Sequence, residues 1–183
     1  MTKRVGLLLG SFDPIHIGHL YMATQALNNK LVDKVLFVPT FQNPWKEQSI
    51  DFWQRCHMIH IAIEGMENCS VCDIESQLNP PYYSCETLKA LQKLLTGCEL
   101  YIIVGADIVG EIINWKDGDW ILDNFKLITV ARPGYKDTHV VDIPKSFNIS
   151  STEIRNLCKE GKIIYPLVPY KLSQHIKHYK IYE

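Results

Sequence analysis

Short apolar runs and longer amphipathic stretches alternate along almost the whole chain. Val5–Leu9, Lys34–Pro39, Ser70–Ile74, Leu100–Val104 and Lys126–Val130 are four to eight residues long and mostly apolar, as buried parallel strands are. A weaker strand signal lies near His139–Asp142. Between the runs, helical spacing predicts helices over His19–Asn28, Asp51–Glu64, Ser84–Leu95, Ala106–Asn114 and Ser151–Lys159, with an amphipathic tail at Tyr170–Tyr179. The helix at Asp51 starts on an acidic N-cap and repeats apolar residues at Phe52, Cys56, Ile59 and Ile63. The helix near Ser84 starts on a capping hydroxyl and carries Leu88, Leu91 and Leu95 on one stripe. This alternation predicts an α/β fold in which one doubly wound, mainly parallel sheet of Rossmann-like type has helices on both faces. In such a fold the loops after the strand ends hold ligands, which draws attention to Thr40–Ser49 and Gln77–Tyr83.

The first of those loops carries the densest chemistry. After Val5–Leu9 comes Gly10-Ser11-Phe12-Asp13-Pro14-Ile15-His16-Ile17-Gly18-His19-Leu20. Gly10 and Ser11 let a phosphate or ribose approach the backbone, and Pro14 delays the helix. His16 and His19, three residues apart, would lie about 60° apart on one helical face and could donate to the same phosphate, assisted by the helix dipole. A single histidine there is usually a surface or satisfied core residue. Two histidines flanking a glycine after a strand and a Gly-Ser turn favour the functional reading.

A second anion site is written at Ile149-Ser150-Ser151-Thr152-Glu153-Ile154-Arg155. Ser150 and Glu153 have capping-box spacing, and Ile149 with Ile154 has the spacing of a hydrophobic staple. The first-turn amides of Ser151 and Thr152 then point out of the helix end, and Arg155 adds a cation one turn on. A plain capped helix is the bland alternative. Gly161 fits the residue just past that helix, and His175 and His178 read as surface residues.

Composition narrows the setting. A chain of 183 residues suggests one domain over 1–183, and 46% hydrophobic with 21% charged residues is ordinary for a globular protein. A net charge of −1 argues against a nucleic-acid-coating surface while leaving small anionic substrates open. No apolar stretch approaches the roughly 20 residues of a membrane span, and no secretory segment opens the chain, so a cytoplasmic location is expected. The six cysteines suggest no disulfide framework. Cys69-x-x-Cys72, with Cys56 and His60 upstream, has the residue types of a zinc site, but Cys56 falls on an apolar helix face and Cys69–Cys72 reads as a strand start.

The two end motifs together resemble the nucleotidylyltransferase superfamily, with its (H/T)xGH and ISSTxxR signatures, and most of all the bacterial nicotinate-nucleotide adenylyltransferases. Gly10 through Leu20, Gly105-Ala106-Asp107 with Trp115-Lys116, Arg132-Pro133-Gly134, Tyr82 through Leu88, and Arg55 with Met58 carry the resemblance across almost the whole chain. It departs at Asn43-Pro44-Trp45-Lys46, where a family histidine is missing. It departs again at Gln77 through Pro81, where an arginine is missing, and at Tyr82 and Ser84. The resemblance implies adenylyl transfer from ATP to nicotinate mononucleotide, with magnesium carried on the phosphates. It implies His16, His19, Arg155 and Lys46 as catalytic groups. Gly10, Ser11, Phe12, Gly105, Asp107, Ile149, Ser150 and Ser151 would line the ATP site. Lys46, Tyr83, Ser84, Thr87, Trp115 and Arg132 would contact the mononucleotide, with Trp115 stacking on the pyridine or serving as a core tryptophan. Nicotinamide mononucleotide and phosphopantetheine are alternative acceptors, although the phosphopantetheine enzymes have a threonine where His16 stands and lack the Gly105–Trp115 pattern. An idle nucleotide sensor is the alternative from another class. A homo-oligomer is possible, and no nucleic-acid or membrane partner is expected.

Overall fold

In the computed structural model, which describes residues 2–42, 48–130 and 149–183, a five-stranded sheet forms the centre. Its strands are β1 (Lys3–Gly10), β2 (Lys34–Pro39), β3 (Cys69–Val71), β4 (Cys98–Gly105) and β5 (Lys126–Val130). Their order is β3-β2-β1-β4-β5, and every neighbouring pair is parallel. The helices are α1 (Ile17–Asn28), α2 (Phe52–Ala62), α3 (Ser84–Leu94), α4 (Ala106–Val109), α5 (Gly118–Asn124), α6 (Ser151–Lys159) and α7 (Tyr170–His178), with 3-10 turns at Ile74–Gln77 and Ile112–Asn114.

Period-two alternation in the strands feeds two cores. Leu8, Phe37, Ile103 and Ile128 face a layer built with α1, α2, α6 and α7, which supply Ala23, Ile59, Ile154 and Leu172. Leu7, Leu36, Ile102 and Leu127 face the other layer, closed by Cys85, Leu88 and Leu91 of α3 and by Ile121 of α5. At the sheet centre Gly6 makes room: a Cβ there would lie 2.7 Å from Ile103 Cδ1 and 3.3 Å from Val32 Cγ2.

The chain runs from β1 outward to β2 and β3, then crosses back to β4 on the other side of β1. That reversal makes a crevice at the carboxyl ends of β1 and β4, where doubly wound folds bind nucleotides. The register pairing Leu7 with Ile102 brings both strands to their terminal glycines, Gly10 and Gly105, at this edge.

The strand and helix pattern holds, with local corrections. The first helix begins at Ile17 rather than His19, because His16 occupies the N-cap. Tyr83, not Ser84, flanks α3, and its carbonyl accepts from the amides of Glu86 (3.0 Å) and Thr87 (3.2 Å). The single helix expected over Ala106–Asn114 is split into a four-residue α-helix and a 3-10 turn around Gly110. The strand read through Ile74 ends at Val71, and α5, entered through Asp117 at φ 54°, has no counterpart in the pattern reading. The His139–Asp142 signal lies outside the described residues. Gly161 has φ 64°, the left-handed conformation expected just past α6. Among the described residues, no helix is long and apolar enough to cross a membrane.

Candidate nucleotide-transfer site

Backbone strain and one glycine assemble the histidine pair. Phe12 follows the end of β1 at φ 50° and is 2% exposed, its ring edge-on to His19 at 4.9 Å between centroids. His16 is 4% exposed and stacks on His19 at 3.8 Å, with 28° between the ring planes. The His16 amide donates to Nδ1 of His19 at 3.3 Å. An accepting Nδ1 puts the His19 proton on Nε2, which makes that atom the donor. Gly18 permits the packing, since a Cβ there would sit 3.0 Å from His16 Cε1 and Nδ1 and 3.2 Å from Ile149 Cγ2. The spacing His-x-Gly-His is therefore a steric requirement as well as a chemical one.

The second motif folds as its spacing predicts and grips the first. Ser150 Oγ accepts from the Glu153 amide at 3.2 Å, and Ile149 and Ile154 are both buried in the layer shared with Phe12 and Ile15. Ser151 Oγ donates to the Pro14 carbonyl at 2.9 Å. Arg155 donates through Nη1 to the Asp13 carbonyl at 2.7 Å and through Nη2 to Thr152 Oγ1 at 3.1 Å. Segments 137 and 142 residues apart in sequence thus share one loop. Ser151 and Arg155, expected from their motif to face the ligand, also brace the histidine loop.

Gly105 and Asp107 stand at the end of β4 and the start of α4, at the same edge of the sheet as the end of β1. Trp115 is half-buried against the α3–α5 layer, so one part of its ring packs as core. Tyr83 is half-buried, with Lys116 Nζ 4.6 Å from its ring centroid, and Ser84 opens α3. Thr87 corrects the sequence reading: it is fully buried and donates to Glu75 Oε1 at 2.6 Å, so its hydroxyl holds another side chain instead of facing a ligand. Lys46 and Arg132 lie outside the described residues.

Three residues support the site from behind, and two of them, Glu75 and Tyr182, escape the pattern reading. Glu75, 2% exposed, accepts from the Phe41 amide at 2.7 Å as well as from Thr87. Burial raises its carboxyl above the usual range, against the pull of the Thr87 and Phe41 donors and of Arg55. The fully buried Arg55 donates to the Ser11 carbonyl at 2.6 Å and the Phe41 carbonyl at 3.0 Å, tying together the loops after β1 and β2. Burial lowers its guanidinium below the ordinary arginine value, yet it keeps the charge that those carbonyls stabilise. Tyr182 donates to Asp13 Oδ1 at 2.8 Å. Arg55 was visible as part of a motif, but its partners were not.

Cys56, His60, Cys69 and Cys72 do not converge. Among the described residues, the one set of three ligand-type groups within 4.8 Å is Cys85, Glu86 and Asp117, and Lys89 ion-pairs with both carboxylates. Cys56 is buried, and burial pushes its thiol up to about 11, as expected of a packing residue rather than a metal ligand.

The Cytidylyltransferase-like family profile matches residues 7–157. A probable nicotinate-nucleotide adenylyltransferase of Methylacidiphilum infernorum is 37% identical, over 98% of this chain and 92% of its own length. One of Thermus thermophilus is 35% identical, over 98% of this chain and 99% of its own. The solved Plasmodium falciparum nicotinic acid mononucleotide adenylyltransferase complexed with NaAD superposes with a TM-score of 0.84 at 22% identity, covering 98% of this chain and 97% of that one. These matches span both histidine and Ser-Ser-Thr motifs and the sheet that joins them. The chain belongs to the Cytidylyltransferase-like family and, within it, to the nicotinate-nucleotide adenylyltransferases.

Proposed function

We propose that the protein transfers the adenylyl group of ATP to nicotinate mononucleotide, giving deamido-NAD and pyrophosphate. The observation that carries this reading is the stacked His16–His19 pair at the switch point of the sheet, braced by the Ser151 and Arg155 side chains. A 5′-phosphate oxygen of the mononucleotide forms a bond to the α-phosphorus of ATP, and the bond from that phosphorus to the bridging oxygen of pyrophosphate breaks. The nucleophile is already an anion at neutral pH, so the protein supplies alignment and charge stabilisation instead of a base. His19 Nε2–H donates to phosphate oxygen as charge develops, and His16 holds its ring in place. Arg155, with the N–H groups not engaged by Asp13 and Thr152, faces the leaving pyrophosphate, together with the first-turn amides of α6. The family resemblance assigns Lys46 to the attacking phosphate or the triphosphate. Trp115 offers its exposed ring surface to the pyridine.

Magnesium bound to the triphosphate would neutralise part of its charge. The donor set fits an ion carried by phosphates and water: Asp13 is committed to Tyr182 and to the Ser49 amide (2.7 Å), and no carboxylate cage forms here among the described residues.

Magnesium-ATP supplied separately with nicotinate mononucleotide, nicotinamide mononucleotide and phosphopantetheine should release pyrophosphate fastest with the nicotinate compound. Release with phosphopantetheine alone would overturn the reading. His19→Ala should lower kcat by about 10²–10³, the typical loss of one preorganised donor. Unchanged turnover in a folded variant would remove His19 from the chemistry.

A further inference from the structure

The loop that carries the histidines is held mainly from the other end of the chain. Its Asp13 carbonyl accepts from Arg155, its Pro14 carbonyl accepts from Ser151, and the Ile17 amide donates to the Leu167 carbonyl at 2.9 Å. Besides the Arg55 bond to the Ser11 carbonyl, a further tie differs in kind. Asp13 is 4% exposed, and its carboxylate receives the Ser49 amide on Oδ2 at 2.7 Å and the Tyr182 hydroxyl on Oδ1 at 2.8 Å. Tyr182 reaches this place after α7, at φ 74°, a backbone conformation that a bulky residue adopts only when its surroundings enforce it. It is 9% exposed and packs in the same layer as Phe12, Ile15, Ile149 and Ile154. Burial, and the charge of Asp13 beside it, push the phenol above its ordinary value, so at neutral pH it remains a donor.

We infer that Tyr182 is a positioning residue for the transfer reaction, acting through Asp13 to set the Phe12–His16 turn. Asp13 joins three segments: the loop itself, the stretch entering α2, and the tail after α7. A buried carboxylate that loses one of its donors must recover a partner by moving. Its backbone is contiguous with Phe12, which packs edge-on against His19, and lies three residues before His16. A shift of the carboxylate therefore displaces the imidazoles. Tyr182 itself touches neither substrate nor reacting atoms. A preorganised donor tolerates little displacement, so the loss falls on the transition state more than on substrate binding.

This inference rests on the role given above to His16 and His19, and it has its own readout. Tyr182→Phe removes one oxygen and keeps the ring. It should lower kcat about tenfold, move both KM values less than twofold, and shift the imidazole NMR resonances of His16 and His19 while leaving those of His60 in place. Tyr182→Gln, which keeps an N–H donor, should recover part of kcat and move the two resonances back toward wild type; should the Phe variant not fold, the Gln variant decides by whether kcat and those resonances move together. A folded Phe variant with kcat within twofold of wild type would overturn the inference. So would a loss of kcat with the His16 and His19 resonances unmoved. If the wild-type protein transfers no adenylyl group, the proposed reaction fails, and the imidazole shifts still decide whether Tyr182 sets the loop.

Discussion

Gly18 occupies the second position of α1, where intrinsic propensity would favour alanine by about 1 kcal/mol. Geometry opposes this, because the added methyl would press on the His16 ring at 3.0 Å and on Ile149 at 3.2 Å. His16 cannot yield easily: it is buried and stacked on His19. Gly18→Ala should therefore fold with melting temperature nearly unchanged while kcat falls at least about tenfold, a split between stability and rate that calorimetry and a pyrophosphate assay would resolve. A more stable variant with full activity would mean that the ring has room to move. The same position shows why this part of the site was legible in the sequence. His16, Gly18 and His19 act within one turn of helix, so their spacing encodes their contact. Tyr182 and Asp13 stand 169 residues apart, and no local period links a tyrosine near one end of the chain to an aspartate near the other.

The elements were readable in proportion to how local their causes are. The start of α6 follows from Ser150 capping Glu153 and from two isoleucines burying together, all within six residues. α2 is similar: Asp51 accepts from the amides of Trp53 (2.8 Å) and Gln54 (3.0 Å), and the face Phe52, Cys56, Ile59 and Ile63 is buried as spaced. The Ile74–Gln77 turn was missed because it exists for a tertiary reason. Its Glu75 carries the Phe41 amide of the loop after β2 and the Thr87 hydroxyl of α3, so one buried carboxylate joins three elements. Glu75→Leu should leave both donors unsatisfied and lower unfolding free energy by about 1–3 kcal/mol per lost partner in urea titrations. Glu75→Gln keeps one acceptor and should cost less. Equal stability of the Leu variant and wild type would show that water or a rearranged loop replaces the carboxylate.

At the scale of the whole molecule, the sheet order places the histidine loop at the switch point, and the chain after residue 149 closes one face of it. That closure creates a seam between α2 and α7, where His57 and His175 meet at 5.1 Å between ring centroids and Lys171 pairs with Glu64 at 2.8 Å. Burial holds the His175 imidazole below the ordinary histidine value, and the neighbouring His57 and His178 add to the effect. The unfolded chain, with an ordinary histidine near pH 6.5, then takes up a proton before the folded chain does. The stability tied to neutral His175 is therefore fully present above that pH. It is lost as pH falls through the interval between the unfolded and folded values, and levels off below the folded one. The titrating contribution argued for the seam is that of His175. Between pH 7.5 and 5.5 the melting temperature of the wild-type protein should fall more than that of His175→Gln, which carries no titrating group. His60→Gln, on the exposed side of α2, should behave as wild type. Parallel curves for wild type and His175→Gln would place the acid sensitivity elsewhere and leave the α2–α7 seam indifferent to pH.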